Sequence, residues 1–216
     1  MAETAELDTS NLAYGPTHYD EMDHPPFSTE TTNEKMTMWA FLGSDCLLFG
    51  ALISTYLLLR NRVGPDTEGP TAADLFDIPF TSVSSFVLLM SSLTMVLAVT
   101  AYAEKNLERT KLWLLTTAAL GAVFIAGQVY EFTSFYREGL GYTTNISSSA
   151  FYTLTGFHGV HVSLGIVMLV SLFGMISRGN LDGTGHSTET VEIVGLYWHF
   201  VDIVWIIIFA VVYLIP

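Results

Sequence analysis

Eight polar or ionisable side chains stand inside stretches that are otherwise apolar for about 20 residues or more: Asp45, Gln128, Glu131, His158, His161, Glu192, His199 and Asp202. The densest of these stretches is Tyr197-Trp198-His199-Phe200-Val201-Asp202. On a helix, His199 and Asp202 lie about 60° apart and share a face, while Trp198 and Trp205, seven residues apart, share another. Glu192 stacks one heptad before His199. Gln128 and Glu131 share a face three residues apart, and His158 and His161 do the same. An ionisable group facing lipid at the centre of a membrane helix costs about 2.5–3.5 kcal/mol on insertion scales. Such groups must face protein, a headgroup or a water-filled cavity.

Three chemistries fit this set. Three histidines with carboxylates suit a haem or a metal ion, and thereby an electron carrier. Against that stands the lack, within the apolar runs, of a Glu-x-x-His pair of the di-iron kind. A chain of carboxylates and histidines also suits a proton path or transporter, although no inverted repeat or paired broken helix is visible. The third reading is packing: the polar groups bond one another across helices, His199 with Asp202 and His158 with a neighbour's carboxylate, or hold lipid headgroups. It assigns no chemistry to the chain. Asp45 has no Lys or Arg in any helix interior to compensate it, so it is expected to be protonated or to share a proton, a proton-linked carboxyl candidate.

The elements that must position these groups follow from the apolar runs. Half of the 216 residues are hydrophobic and only 13% are charged. The runs lack the polar stripe of a soluble bundle. They predict an all-α, polytopic membrane protein with five transmembrane helices over about 36–59, 79–103, 112–136, 149–176 and 191–215. Pro79 suits a first helical turn. Gly43 and Gly50 make a narrow stripe for a neighbouring helix, and the serines of the second helix suit close packing or bonds to their own backbone. The loop 61–78 carries Gly64-Pro65 and Gly69-Pro70, and Glu104 to Lys111 reads as a charged connection.

The net charge of −13 is unevenly spread: eight of the 21 acids precede Lys35, with no basic residue among them. Residues 1–35 therefore read as an acidic, disordered tail, and 36–216 as a single transmembrane domain. His18 and His24 in the tail are satisfied by water. No basic cluster supports nucleic-acid binding. The lone cysteine, Cys46, excludes an internal disulfide and is expected to be a buried thiol. Lys35, Lys105, Arg109, Lys111 and Arg178 fall on one side, and Arg60, Arg62 and Arg137 on the other. This favours an amino end inside and a carboxyl end outside.

Four blocks carry a family resemblance, in order and on successive helices. They are Phe41-Leu-Gly-Ser-Asp45-Cys-Leu-Leu-Phe-Gly50, Gly127-Gln-Val-Tyr-Glu131-Phe, Thr155-Gly-Phe-His158-Gly-Val-His161-Val and Tyr197-Trp-His199-Phe-Val-Asp202-Ile-Val-Trp205. Together they resemble subunit III of the haem–copper oxygen reductases, in its short five-helix bacterial form. The resemblance implies a non-catalytic subunit of a proton-pumping terminal oxidase in the bacterial inner membrane. It implies packing on subunit I, with subunit II and small subunits in the same complex. Haem and copper belong to the partners, with no metal and no redox cofactor on this chain. It also implies bound phospholipid, for which Gln128, Glu131 and His161 are wall candidates, and support of proton uptake and sustained turnover. Asp45 stands where many members have glutamate. The resemblance covers both cytochrome c- and quinol-oxidising branches.

Overall fold

The computed structural model describes residues 32–60, 76–181 and 185–215, the last without the side chains of 185–187. The acidic tail up to residue 31, with His18 and His24, and most of the loop after Arg60 lie outside the described residues. Five helices account for nearly all of the rest: α1 (Asn33–Leu59), α2 (Ile78–Ala103), α3 (Leu107–Arg137), α4 (Ile146–Ser177) and α5 (Gly185–Phe209), whose last turn widens to a π-helix over Ala210–Leu214. All five are long and apolar enough to cross a membrane, and no strand occurs among the described residues.

The spans agree with the apolar runs, but every helix begins earlier than its run suggests, α2 by one residue and α5, at Gly185, by six. α1 starts at Asn33. α3 starts at Leu107, because the Asn106 side chain accepts from the backbone N–H of Arg109 at 3.2 Å. The charged stretch after Glu104 is thus mostly helix, and the connection shrinks to three residues. α4 starts at Ile146 under a reciprocal cap: Asn145 Oδ1 accepts from Ser148 N at 2.6 Å, and Ser148 Oγ accepts from Asn145 N at 3.2 Å. Asp77 caps α2 ahead of Pro79, accepting from Phe80 N at 3.1 Å. Polar residues that read as loop are caps, which satisfy N–H groups that helix geometry leaves without partners. At the other ends, Gly139 (φ +92°) and Gly179 (φ +74°) reverse the chain after α3 and α4.

Helices α2, α3, α4 and α5 close into a ring. Each packs antiparallel on the next, and α5 returns to α2. From α2 to α3, the contacts run from Thr94 on Thr117 (2.8 Å) to Thr81 on Glu131 (2.9 Å). From α2 to α5 they run from Ser85 on Trp205 to Ser91 on Trp198. The core is aromatic, with Trp198, Trp205, Phe124 and Phe151 almost fully enclosed. α1 stands outside the ring, against α4 and α5. It buries one seam, Leu42, Asp45, Phe49 and Tyr56, with Phe49 edge-on to His161 (5.0 Å) and Phe41 stacked on Tyr197 (6.4 Å). Cys46 is exposed on its outer face, contrary to the expectation of a buried thiol, because only that one seam of α1 meets protein. Gly43 and Gly50 also lie off the seam, and a Cβ at either meets nothing within 4 Å.

Candidate functional site

The polar groups fall into four places rather than one. The first joins α1 to the ring. His161 Nε2 lies 3.5 Å from Asp45 Oδ2, within ion-pair range, although the carboxyl oxygen makes no hydrogen bond of good geometry. His161 Nδ1 is 2.7 Å from the Phe157 carbonyl oxygen. A carbonyl only accepts, so Nδ1 carries a hydrogen. The Nε2 of a neutral ring would then be a bare acceptor facing a carboxyl oxygen.

The second place is the α2–α5 seam. Trp198 Nε1–H donates to Ser91 Oγ (2.9 Å), and Trp205 Nε1–H donates to Ser85 Oγ (2.8 Å). Each serine spends its own hydrogen on an upstream carbonyl, Leu88 for Ser91 and Thr81 for Ser85, and is free to accept. The Trp198 indole lies in a slot between two glycines. A Cβ on Gly121 would sit 2.6 Å from it, and one on Gly165 would sit 2.7 Å away. Beside this slot, Ser92 Oγ meets both His199 Nδ1 (2.9 Å) and Asp202 Oδ2. His199 and Asp202 therefore join through a serine of α2 rather than directly. Asp202 Oδ1 is enclosed without a hydrogen bond among the described residues.

The third place is the far end of the ring, where Glu131 is held by Thr81 and by the Tyr213 hydroxyl, which donates at 3.3 Å. The π turn of α5 carries Tyr213 to this position, stacked on Phe209 and tilted against Phe76. The fourth is an open groove of about 350 Å³ between α3 and α4, lined by Gln128, Phe132, Gly156, Gly159 and Val167 among others. Gln128 is buried, its Oε1 lies over Gly159, and its Nε2 has no hydrogen-bond partner among the described residues.

The remaining residues of the set separate. His158 is fully enclosed, stacked on Trp205 (4.8 Å, 25°) with Phe124 at its edge, and neither ring nitrogen has a partner among the described residues. The carboxylate expected for it is absent because aromatic rings fill its surroundings. Glu192 is half-exposed near the start of α5 and pairs with Lys35 at 2.7 Å. Among the described residues, no three His, Cys, Asp or Glu side chains converge as metal ligands would. Sequence reasoning did not single out Ser85, Ser91, Ser92, Gly121 or Gly165 as partners. The signal was present in two similar spacings, six from Ser85 to Ser91 and seven from Trp198 to Trp205, on antiparallel helices.

A closed ring of four membrane helices, a fifth helix pinned outside it and polar groups used mainly as pins define a multi-pass α-helical membrane protein. The family model for Cytochrome c oxidase subunit III matches residues 28–215. The chain is 38% identical to cytochrome c oxidase subunit 3 of Bacillus sp. strain PS3 over 185 residues, 86% of this chain and 87% of that one. It is 37% identical to cytochrome c oxidase subunit 3 of Alkalihalophilus pseudofirmus over 193 residues, 88% and 91% of the two chains. It is also 39% identical to a probable quinol oxidase subunit 3 of Staphylococcus saprophyticus over 189 residues, 87% and 92%. The chain belongs to the cytochrome c oxidase subunit III family, and membership implies a place in a multi-subunit complex.

Proposed function

We propose that this chain is the supporting subunit of a proton-pumping haem–copper terminal oxidase of a bacterial plasma membrane, oxidising cytochrome c or quinol. It packs on the catalytic subunit I, holds phospholipid and sustains proton uptake and turnover. It carries no redox step; haem and copper reside in subunits I and II. Its amino end is cytoplasmic and its carboxyl end external, in line with the five basic residues on one side against three on the other.

The observation that carries this reading is the use made of the polar groups. Trp198, Trp205, Glu131 and the His199–Asp202 pair are each spent on a neighbouring helix. These contacts hold a scaffold together. The Asp45–His161 contact supports the proton-linked part: an imidazole nitrogen faces the carboxyl at 3.5 Å on the seam of α1. The α3–α4 groove supports the lipid part, because an apolar trough with one free amide donor, Gln128 Nε2, suits an acyl chain with an ester carbonyl.

The test is deletion of the chain from the oxidase. The spectrum and the initial rate stay near those of the complete complex, while the enzyme loses activity in far fewer turnovers. An unchanged lifetime refutes the supporting role. A carbodiimide, which reacts with a protonated buried carboxyl, labels Asp45 and not an Asp45→Asn variant; no labelling of the parent under mild conditions refutes the shared proton.

A further inference from the structure

A second groove, of about 250 Å³, opens between α2 and α5 on the outside of the ring. Its walls are apolar, Val96, Val99 and Leu196 among them, and its floor is Gly195, where a Cβ would press on Met95 and Val99 at 3.3 Å. His199 lines it. The imidazole is anchored through Nδ1 to Ser92 Oγ, and its Nε2 makes no hydrogen bond among the described residues. The apolar span of α5 is Thr188–Leu214, so its midpoint is Val201. His199 lies two residues away, about 3 Å along the axis.

Depth decides what covers it. Headgroups begin about 15 Å from the bilayer centre, so no lipid headgroup reaches Nε2. Acyl chains offer no hydrogen bond. A lone water needs two to four polar partners. Beside His199 the groove offers Thr100, whose hydroxyl is spent on the Val96 carbonyl, and Glu192, a full heptad away along α5 and paired with Lys35. An imidazole nitrogen left bare at this depth is costly. The remaining source of a polar group at mid-bilayer is another transmembrane helix.

We propose that the α2–α5 groove is the docking site for a transmembrane helix of another oxidase subunit, and that this helix presents a hydroxyl or carboxamide side chain to His199 Nε2. Either group both donates and accepts, and so serves Nε2 in either tautomer. The inference rests on reading the chain as one subunit of an oxidase complex, and adds the face and the chemistry of contact.

The experiment uses the intact complex purified in mild detergent. A photoreactive benzoylphenylalanine replaces Val96 or Leu196 in the groove, and Leu58 on the outer face of α1 for comparison. After illumination, peptide mass spectrometry is expected to find Val96 and Leu196 joined to a transmembrane peptide of another subunit that carries Ser, Thr, Tyr, Asn or Gln near the join. Capture of lipid alone, or of a second copy of this chain, in a complex that still contains its other subunits overturns the docking proposal and leaves the subunit reading intact. Purification without any other oxidase subunit overturns that reading, and the proposal with it. In the same complex, His199→Leu is expected to release the chain about 3- to 18-fold faster in detergent, the range of one interhelical polar contact in a membrane. His199→Gln restores retention, and Ser82→Ala, a serine of α2 that bonds only its own helix, stays near the parent. Loss in His199→Gln as large as that in His199→Leu overturns the role of Nε2.

Discussion

The slot around Trp198 makes a quantitative prediction, because it places an aromatic ring where two helices have no side chain. Replacing Gly165 with Ala puts a methyl 2.7 Å from the Trp198 ring carbons Cε3 and Cζ3 and 3.3 Å from Tyr197. Ordinary carbon contacts need about 3.5–4.0 Å, so the ring must retreat by about 0.8–1.3 Å. It cannot retreat far. Gly121 bounds its other side with comparable closeness, and its N–H is held by Ser91 at 2.9 Å. Overpacking of this kind costs about 1–3 kcal/mol, and losing the indole bond adds about 0.6 kcal/mol. The better helix propensity of alanine returns about 1 kcal/mol, leaving a net loss of about 0.6–2.6 kcal/mol. The comparison is Gly174→Ala in the same helix, where a Cβ meets nothing within 4 Å. There only the propensity gain remains. The assay is reversible unfolding in mixed micelles of increasing dodecyl sulfate fraction, followed by far-ultraviolet circular dichroism. The two alanines are expected to differ by about 1.6–3.6 kcal/mol, and Trp198→Phe in the Gly165→Ala background to recover part of the loss. Equal stability of the two alanine variants refutes the slot.

Ser85→Ala leaves the buried indole N–H of Trp205 without an acceptor and is expected to cost about 1–3 kcal/mol in the same titration; a loss no larger than that of Ser82→Ala, an exposed serine bonded only to its own helix, refutes the peg. Lys105 is the one non-glycine residue with positive φ (59°) among the described residues, at the turn after α2. Lys105→Gly therefore stabilises the fold by about 1 kcal/mol, and a destabilised variant shows that its side chain makes a contact that matters more. Cys46 faces outward from α1, so a lipophilic maleimide modifies it in folded, detergent-solubilised protein; modification only after denaturation refutes the exposed placement of this face.

The spans of all five helices were legible because apolar length alone sets them. Their starts were less so: Asn106 and Asn145 read as loop residues, while in the fold they cap α3 and α4. The shared faces of His199 with Asp202 and of Trp198 with Trp205 followed from helical spacing. Their partners did not follow, because a serine in an apolar helix bonds its own upstream carbonyl wherever it stands. Ser82 does so on the surface, and Ser85 does so while also accepting an indole. The position of α1 was hidden for a related reason. Its sequence is apolar all round, so no stripe marks the single seam that meets protein, and Cys46 was misplaced for want of one.

That position explains why Asp45 is where it is. In a bilayer no hydrophobic force drives one helix onto another, so association rests on packing and polar contacts. The ring has many of both. α1 has one seam, and among the described residues its polar holds include Lys35 to Glu192 at one end, Asp45 to His161 in the middle, and Arg60 to the Ile215 carbonyl (3.0 Å) at the other. The end contacts sit at the interfaces, where water competes with them. Of these, the middle one is the most sheltered. Asp45 therefore holds α1 at a depth where lipid, which offers no hydrogen bond, would replace its partner.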